Sequence, residues 1–167
     1  MATNHIEVFT KYVENLLGLL EKIEAHEKND PSILRKRLIG DMLPLFSQVE
    51  IAASFALRAC CPIVGEEVVS FASEEKSFSG LKNQLNQTID YLQKLDKTKI
   101  DSEVTVSDMA GPVPVSLPAS EFVLKFALPN FFFHISMVYA IARIAGLPVT
   151  KGDYDGIHQY ALGFSYE

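Results

Sequence analysis

The first 23 residues place apolar side chains at steps of three and four, and this spacing decides the fold class. It puts those side chains on one stripe of an α-helix, whereas a strand would need strict alternation. The stripe consists of Ile6, Phe9, Val13, Leu16, Leu17, Leu20 and Ile23. A second such stripe consists of Phe78, Leu81, Leu85, Ile89, Leu92 and Leu95. Ser77 just before it is a suitable N-cap. Since apolar stripes must pack on one another, the chain is predicted to be mainly helical.

Two more long helices are predicted between and after these stripes. One follows an N-cap at Asp41, covers about residues 42–63 and ends at Gly65. The other covers about residues 118–146, and Pro129 within it is expected to kink or divide it.

Alternating valines between Ser102 and Pro118 surround Met109-Ala-Gly-Pro112 and predict a short β-hairpin. The predicted fold is therefore all-α: a four-helix bundle with a short β-hairpin insertion before the last core helix. A chain of 167 residues with 48% hydrophobic content suits one domain over residues 1–167.

Charge and composition exclude several classes of partner. The net charge is -6, and the longest basic run is Arg35-Lys36-Arg37, which predicts no nucleic-acid partner. The N-terminus lacks the pattern of a secretory signal, so a cytoplasmic protein is predicted. No membrane span is expected, because polar residues interrupt the apolar last helix. They are Lys125, Pro129, Asn130, His134 and Arg143. The adjacent Cys60 and Cys61 are predicted to be free buried thiols, since neighbouring helical residues point about 100° apart.

Asn130 and His134 are the most informative polar residues in the chain. They lie four residues apart in its most apolar segment, so a helix places both on one face above Val138 and Ile141. Buried amide and imidazole groups need hydrogen-bond partners or a function. This pair is therefore the first candidate for a site.

Three segments of the chain resemble an uncharacterised domain family of the DinB/YfiT-like superfamily. They are residues 41–52, 126–134 and 146–156. The resemblance implies an up-down-down-up bundle that is often a homodimer. It also implies a divalent metal, such as zinc or nickel, bound by one histidine on helix two and a His-x-x-x-His pair on the last core helix.

The sequence keeps only part of the histidine triad that the resemblance implies. His134 matches the second histidine of the pair, Asn130 stands at the first, and Gln48 occupies the helix-two position. Amide oxygens are weak neutral ligands, so this set is poorly suited to zinc or nickel. Three interpretations remain: a structural hydrogen-bond network, a metal-free pocket in which His134 acts as donor, acceptor or base, and a weak metal site at His134 completed by Asp41 or Glu50.

Two further residues are candidate substrate ligands. Asp41 lies seven residues before Gln48, on the same helical face, and would extend the polar patch if it is not only an N-cap. Tyr154 lies in the segment Lys151–Gly156, which matches the family motif and is expected to form a turn near the site. The run of three phenylalanines at residues 131–133 covers about 300° of helix surface, so one ring is expected to face a dimer interface or a pocket.

The leading prediction is small-molecule binding by Gln48, Asn130, Asp41 and Tyr154 around His134. It includes metal-free acid/base or transfer chemistry at His134 and needs no cofactor. One alternative is a divalent-metal-dependent transferase or hydrolase that retains His134 as a ligand. Another is a non-catalytic, dimeric interaction bundle.

Overall fold

The computed structural model describes residues 5–161, which form a mainly helical protein with one small sheet. The helices are α1 (His5–His26), α2 (Leu45–Cys60), α3 (Phe78–Lys94), α4 (Ala119–Glu121), α5 (Leu128–Ile144) and α6 (Lys151–Asp155). The strands are β1 (Thr105–Ala110) and β2 (Val113–Pro118), which pair antiparallel around Gly111 and Pro112. Short 3-10 turns lie at Pro31–Arg35, Pro62–Val64 and Lys97–Lys99. The predicted helical character and the predicted hairpin are confirmed.

The core lies where the long helices meet. Helix α1 packs on α3 and α2, and α2 also packs on α5 and α3. Six members of the predicted α1 stripe are fully buried, while Leu17 is only half-buried and Leu19 is buried as well. Ser77 caps α3 as predicted, because its Oγ accepts a hydrogen bond from the Gly80 amide at 3.0 Å.

Helix α2 begins later than the sequence predicts. Its N-cap is Pro44 in an extended conformation, and Asp41 lies in an exposed turn before it, so the predicted N-cap at Asp41 is wrong. The physical reason is the proline, whose ring disfavours the helical conformation of the preceding Leu43. The helix therefore cannot include Leu43, and it begins at Leu45.

The end of α2 holds the two cysteines. The α-helix stops at Cys60 and continues as the 3-10 turn, and Gly65 closes it in the left-handed region at φ 76°. The prediction of free buried thiols is confirmed. Burial raises the pKa of both, which keeps them protonated and unreactive at neutral pH.

The last long helical stretch is disturbed before Pro129 rather than divided at it. Residues Phe122–Ala127 form a π-helical segment, in which the Leu128 amide donates to the carbonyl five residues earlier, at Val123. Because Pro129 has no N–H to donate, the preceding turn widens instead of breaking. The stretch Ala119–Ile144 is long and apolar enough to cross a membrane by length and composition, but 39% of its most apolar window is buried within the protein.

The hairpin and α6 are joined to the long helices by charged side chains. Arg58 of α2 donates to the carboxylate of Asp108 in β1 at 2.7 Å. Lys22 of α1 contacts Asp153 of α6 at 2.9 Å. The predicted C-terminal turn is in fact the short helix α6, because Thr150 and Asp153 form a reciprocal capping box that starts a helix.

Candidate functional site

The contact between α2 and α5 brings together Gln48 and His134. Both side chains are almost fully buried, with 1% and 8% of their surface exposed. The Nδ1 atom of His134 lies 2.6 Å from Oε1 of Gln48. The two residues are 86 positions apart in the chain, so only the packing of α2 on α5 forms this pair.

The other contact of Gln48 determines the tautomer of the histidine. The Gln48 Nε2 group donates to the carbonyl oxygen of Leu43 at 3.2 Å. Its Oε1 atom therefore faces His134 and, as an acceptor, requires a proton on Nδ1. The neutral imidazole then carries its free lone pair on Nε2, which can accept a hydrogen bond or a proton.

Aromatic rings enclose the imidazole of His134. Phe55 of α2 stacks on it at 5.8 Å between centroids, and Phe133 meets it edge-on at 5.3 Å. The guanidinium of Arg58 lies 4.3 Å from the Phe55 ring centre, on the hairpin side of α2. Burial first, and the positive charge of Arg58 second, lower the pKa of His134 to about 4. The imidazole is therefore neutral at pH 7.

The free lone pair of His134 is not sealed inside the core. Within residues 5–161, Gln84 Oε1 is the only fully buried side-chain nitrogen or oxygen that lacks a hydrogen-bond partner. His134 Nε2 also makes no hydrogen bond with these residues, but it is not one of the fully buried atoms. It therefore retains some contact with solvent. A small molecule at this surface would meet one acceptor between aromatic walls.

The other predicted site residues do not join the hydrogen bond between Gln48 and His134. The side-chain amide of Asn130 bonds within its own helical stretch, because Nδ2 donates to the carbonyl of Phe126 in the π-helical segment at 2.7 Å. Tyr154 packs on Tyr12 and accepts a hydrogen bond from Ser136. Since Ser136 is two residues after His134, it points about 200° away around α5.

Two carboxylates named for the weak metal site also lie away from His134. Asp41 is exposed in the turn before α2. Glu50 lies two residues after Gln48 and lines a cavity between α2 and α3, on another face of the helix. The structure thus pairs Gln48 with His134. Asn130 shares the α5 face of His134 but bonds within its own helix, and Asp41, Glu50 and Tyr154 lie away from the pair.

The residues around His134 do not fit the divalent metal implied by the resemblance. Among residues 5–161, no three His, Cys, Asp or Glu side chains are grouped so that they could hold a metal ion. The Nδ1 atom of His134 and the Oε1 atom of Gln48 already bind each other. Only Nε2 remains as a donor atom, whereas structural and catalytic zinc sites use three or four protein ligands.

Sequence reasoning missed the aromatic and cationic neighbours of His134. Phe55 lies seven residues after Gln48, which is two helical turns on the same face, so helical spacing could have identified it. Arg58 lies over the Phe55 ring, pairs with Asp108 and lowers the pKa of His134 by its charge, but no spacing within α2 reveals a contact with the hairpin.

Comparison with known proteins agrees with this architecture. The crystal structure of a DinB family member protein from Shewanella denitrificans matches with a TM-score of 0.81 and 27% identity, covering 93% of this chain and 92% of that one. The protein is therefore a DinB-like helical protein, as the sequence predicted. The profile of a family described as a domain of unknown function, DUF1993, matches residues 1–155. The chain belongs to the DUF1993 family. No curated protein matches it.

Proposed function

We propose that this protein binds a small, uncharged molecule by accepting a hydrogen bond from it at His134 Nε2. The observation that supports the proposal is the 2.6 Å contact between His134 Nδ1 and Gln48 Oε1. This contact fixes the neutral imidazole with its lone pair on Nε2. A ligand hydroxyl or amide N–H is the complementary group, and Phe55 and Phe133 offer apolar surface beside it.

The chemistry predicted for His134 is a smaller part of the proposal. A general base works best when its pKa lies near the working pH, and a pKa of about 4 makes His134 a weak base at pH 7. Binding through the lone pair needs no such match. Metal-free transfer chemistry at His134 therefore ranks below binding, and the metal-dependent transferase or hydrolase ranks lower still because the donor set fits a metal poorly.

Native mass spectrometry of the purified protein tests this binding. We expect a non-protein mass on the wild-type protein that is lost in His134→Phe. A matched control is His26→Phe, since His26 is an exposed histidine at the end of α1. That variant should keep the mass.

A titration with cyclohexanol, a neutral hydroxyl probe, provides a second readout when no mass co-purifies. The 15N signal of His134 Nε2 should shift as the probe is added. The proposal fails if a folded His134→Phe variant keeps the bound mass. It also fails if the wild-type protein carries no mass and its Nε2 signal does not respond to cyclohexanol.

The exposed face of α5 supports the predicted homodimer as a second proposal. Phe133 is 49% exposed and Ile144 is 72% exposed, and they lie eleven positions apart, which is about three helical turns, so they share a face. We expect Ile144→Glu to shift sedimentation from dimer to monomer. Ile39→Glu, at a 63% exposed isoleucine before α2, is the control that should leave the dimer intact. A wild-type monomer at all concentrations would contradict this proposal.

The remaining inferences concern the whole chain. We infer that the long helices follow the up-down-down-up order implied by the resemblance, in one domain over residues 1–167. The likeness to the Shewanella denitrificans protein supports this order. We also propose a cytoplasmic location and no membrane or nucleic-acid partner, and the net charge of -6 supports the last of these.

A further inference from the structure

A cavity of about 240 Å³ lies between α2, α3 and the segment that precedes α3. Glu50 and Ser54 of α2 and Gln84 of α3 line it, together with apolar side chains that include Leu57 and Phe71. Its volume is slightly below the range of about 300–1,000 Å³ for drug-sized ligands, so it suits a smaller molecule.

One wall of this cavity contains a buried acceptor without a donor. Gln84 is 97% buried, because only 3% of its surface is exposed. Its Nε2 group donates to the Glu50 carbonyl at 3.4 Å, which leaves Oε1 as the free end of the amide. Within residues 5–161, this Oε1 is buried and accepts no hydrogen bond. Buried polar atoms are nearly always paired, so a ligand in the cavity that reached this atom would supply the missing donor.

The charge of the cavity indicates what kind of donor fits. Glu50 lines it, and burial raises the pKa of its carboxyl group, an effect that the positive charge of Lys76 only partly offsets. The Ser54 hydroxyl adds another acceptor. A ligand with several N–H donors and a positive charge would match both the carboxylate and the Gln84 oxygen.

We propose that the cavity between α2 and α3 binds a small organic ammonium ion. Its ammonium group would donate to Gln84 Oε1 and Glu50, and its short alkyl chain would lie against Leu57 and Phe71. An ammonium has three donors and no acceptor, which suits a wall of acceptors. Lys76 would compete for Glu50 but, as an exposed side chain, does not fill the cavity.

This site is separate from the one proposed at His134. Neither His134 nor Gln48 lines the cavity, and Glu50 projects from α2 about 200° away from Gln48. The two proposals can therefore succeed or fail independently.

A titration of the full-length protein with n-butylammonium chloride, followed by two-dimensional 15N NMR, tests the proposal. The Gln84 side-chain amide and the backbone amides of residues 69–72 should shift together, with an affinity on the order of millimolar for so small a ligand. The isosteric neutral n-butanol and the anionic butyrate are comparison probes. We expect at least about tenfold weaker binding for both, since n-butanol has no positive charge and only one donor, and butyrate has no donor and carries the same charge as the Glu50 carboxylate.

Two variants identify the groups responsible. Gln84→Met removes the acceptor at similar volume, and Glu50→Gln removes the charge, so each should weaken n-butylammonium binding about tenfold or more. The control Gln87→Met changes an exposed glutamine on the same helix and should leave binding unchanged. His134→Phe should also leave it unchanged, which separates this test from that of the proposed function.

Three results would overturn the proposal. The first is n-butanol binding as tightly as n-butylammonium. The second is unchanged affinity in a folded Gln84→Met variant. The third is the absence of any shift at Gln84 or residues 69–72 at saturating probe, which would mean that water alone satisfies the Gln84 oxygen.

Discussion

At the scale of single residues, Gln48 sets the tautomer of His134, and His134 helps to fix the orientation of the Gln48 amide. Both ends of the Gln48 amide are hydrogen-bonded, because Nε2 donates to the Leu43 carbonyl and Oε1 accepts from the His134 imidazole. A buried amide with both ends paired has one orientation, and that orientation places the histidine proton on Nδ1. The same contact that removes Nδ1 from any reaction leaves Nε2 available to a ligand.

Replacing Gln48 with leucine should destabilise the protein and change the histidine tautomer. The substitution leaves a buried Nδ1–H without an acceptor, which costs about 1–3 kcal/mol in free energy of unfolding. Chemical denaturation measures this loss, and 15N NMR should show protonation moving towards Nε2. Gln87→Leu, at an exposed glutamine of α3, is the control and should cost less than about 0.5 kcal/mol. An unchanged tautomer in Gln48→Leu would contradict the assignment.

The pKa of His134 predicts how stability depends on pH. It falls from 6.5 to about 4 on folding, so between these values the unfolded chain binds more protons than the folded one. The free energy of unfolding therefore has its full value above about pH 6.5. It decreases as the pH falls towards 4, because the unfolded chain takes up the proton more readily than the folded protein. At about 1.4 kcal/mol per pKa unit, the loss is on the order of 3 kcal/mol at most.

Denaturation at several pH values checks this dependence. The stability of the wild-type protein should fall more steeply between pH 6.5 and 4 than that of His134→Phe, which lacks the titrating group. Parallel slopes for the two proteins would contradict the prediction. An NMR titration of the imidazole should give its pKa directly.

At the scale of elements, two helical glycines should respond in opposite ways to alanine. A Cβ at Gly80, in the first turn of α3, would overlap the Glu75 carbonyl and the Ser73 side chain. A Cβ at Gly18, in the middle of α1, would meet nothing within 4 Å. We expect Gly80→Ala to destabilise by about 1–3 kcal/mol and Gly18→Ala to stabilise by about 0.5–1 kcal/mol.

Thermal and chemical denaturation of the two alanine variants measures whether each substitution raises or lowers the free energy of unfolding. Helix propensity alone predicts that both substitutions stabilise. A stabilised Gly80→Ala variant would therefore show that the segment before α3 packs differently from the structure.

The long amphipathic helices could be predicted from the sequence, whereas the site could be predicted only in part. The stripes of α1 and α3 are local patterns, and local spacing identifies them. The start of α2 was missed because the restraint of Pro44 on Leu43 outweighs the capping preference of Asp41. The family resemblance placed Gln48 with His134, whereas helical spacing alone could not, because this pair depends on α2 packing against α5.

Asn130 shares a face of α5 with His134, but its amide N–H is used within the helix. Both residues lie in the regular helix α5, beyond the π-helical segment that ends at Ala127, and Asn130 Nδ2 donates to the Phe126 carbonyl inside that segment. A period of 3.6 residues predicts the shared face but not the acceptor that this N–H finds. The sequence shows Pro129 but not the widened turn that the proline induces.

At the scale of the whole molecule, α6 packs the C-terminal part of the described chain against α1 and α5. Asn15 of α1 donates to the Tyr154 carbonyl at 3.2 Å, and Lys22 pairs with Asp153. The ring of Tyr154 lies edge-on to Tyr12 of α1 and Tyr139 of α5, at 5.9 and 6.2 Å. Helix α6 therefore stabilises the packing of α1 beside α5.

Substitutions at Tyr154 distinguish this structural role from the predicted substrate role. Tyr154→Ala removes the ring from between α1 and α5 and should cost about 2–4 kcal/mol in free energy of unfolding, near the range for truncated aromatic residues. Tyr154→Phe removes only the hydroxyl that accepts from Ser136 at 3.3 Å, so it should cost about 1 kcal/mol or less. Both variants should retain the shift of His134 Nε2 on addition of cyclohexanol, since Tyr154 packs away from that atom. Loss of that response in a folded Tyr154→Phe variant would instead place the tyrosine hydroxyl in the binding site, and α6 would then have to approach His134 when the ligand is bound.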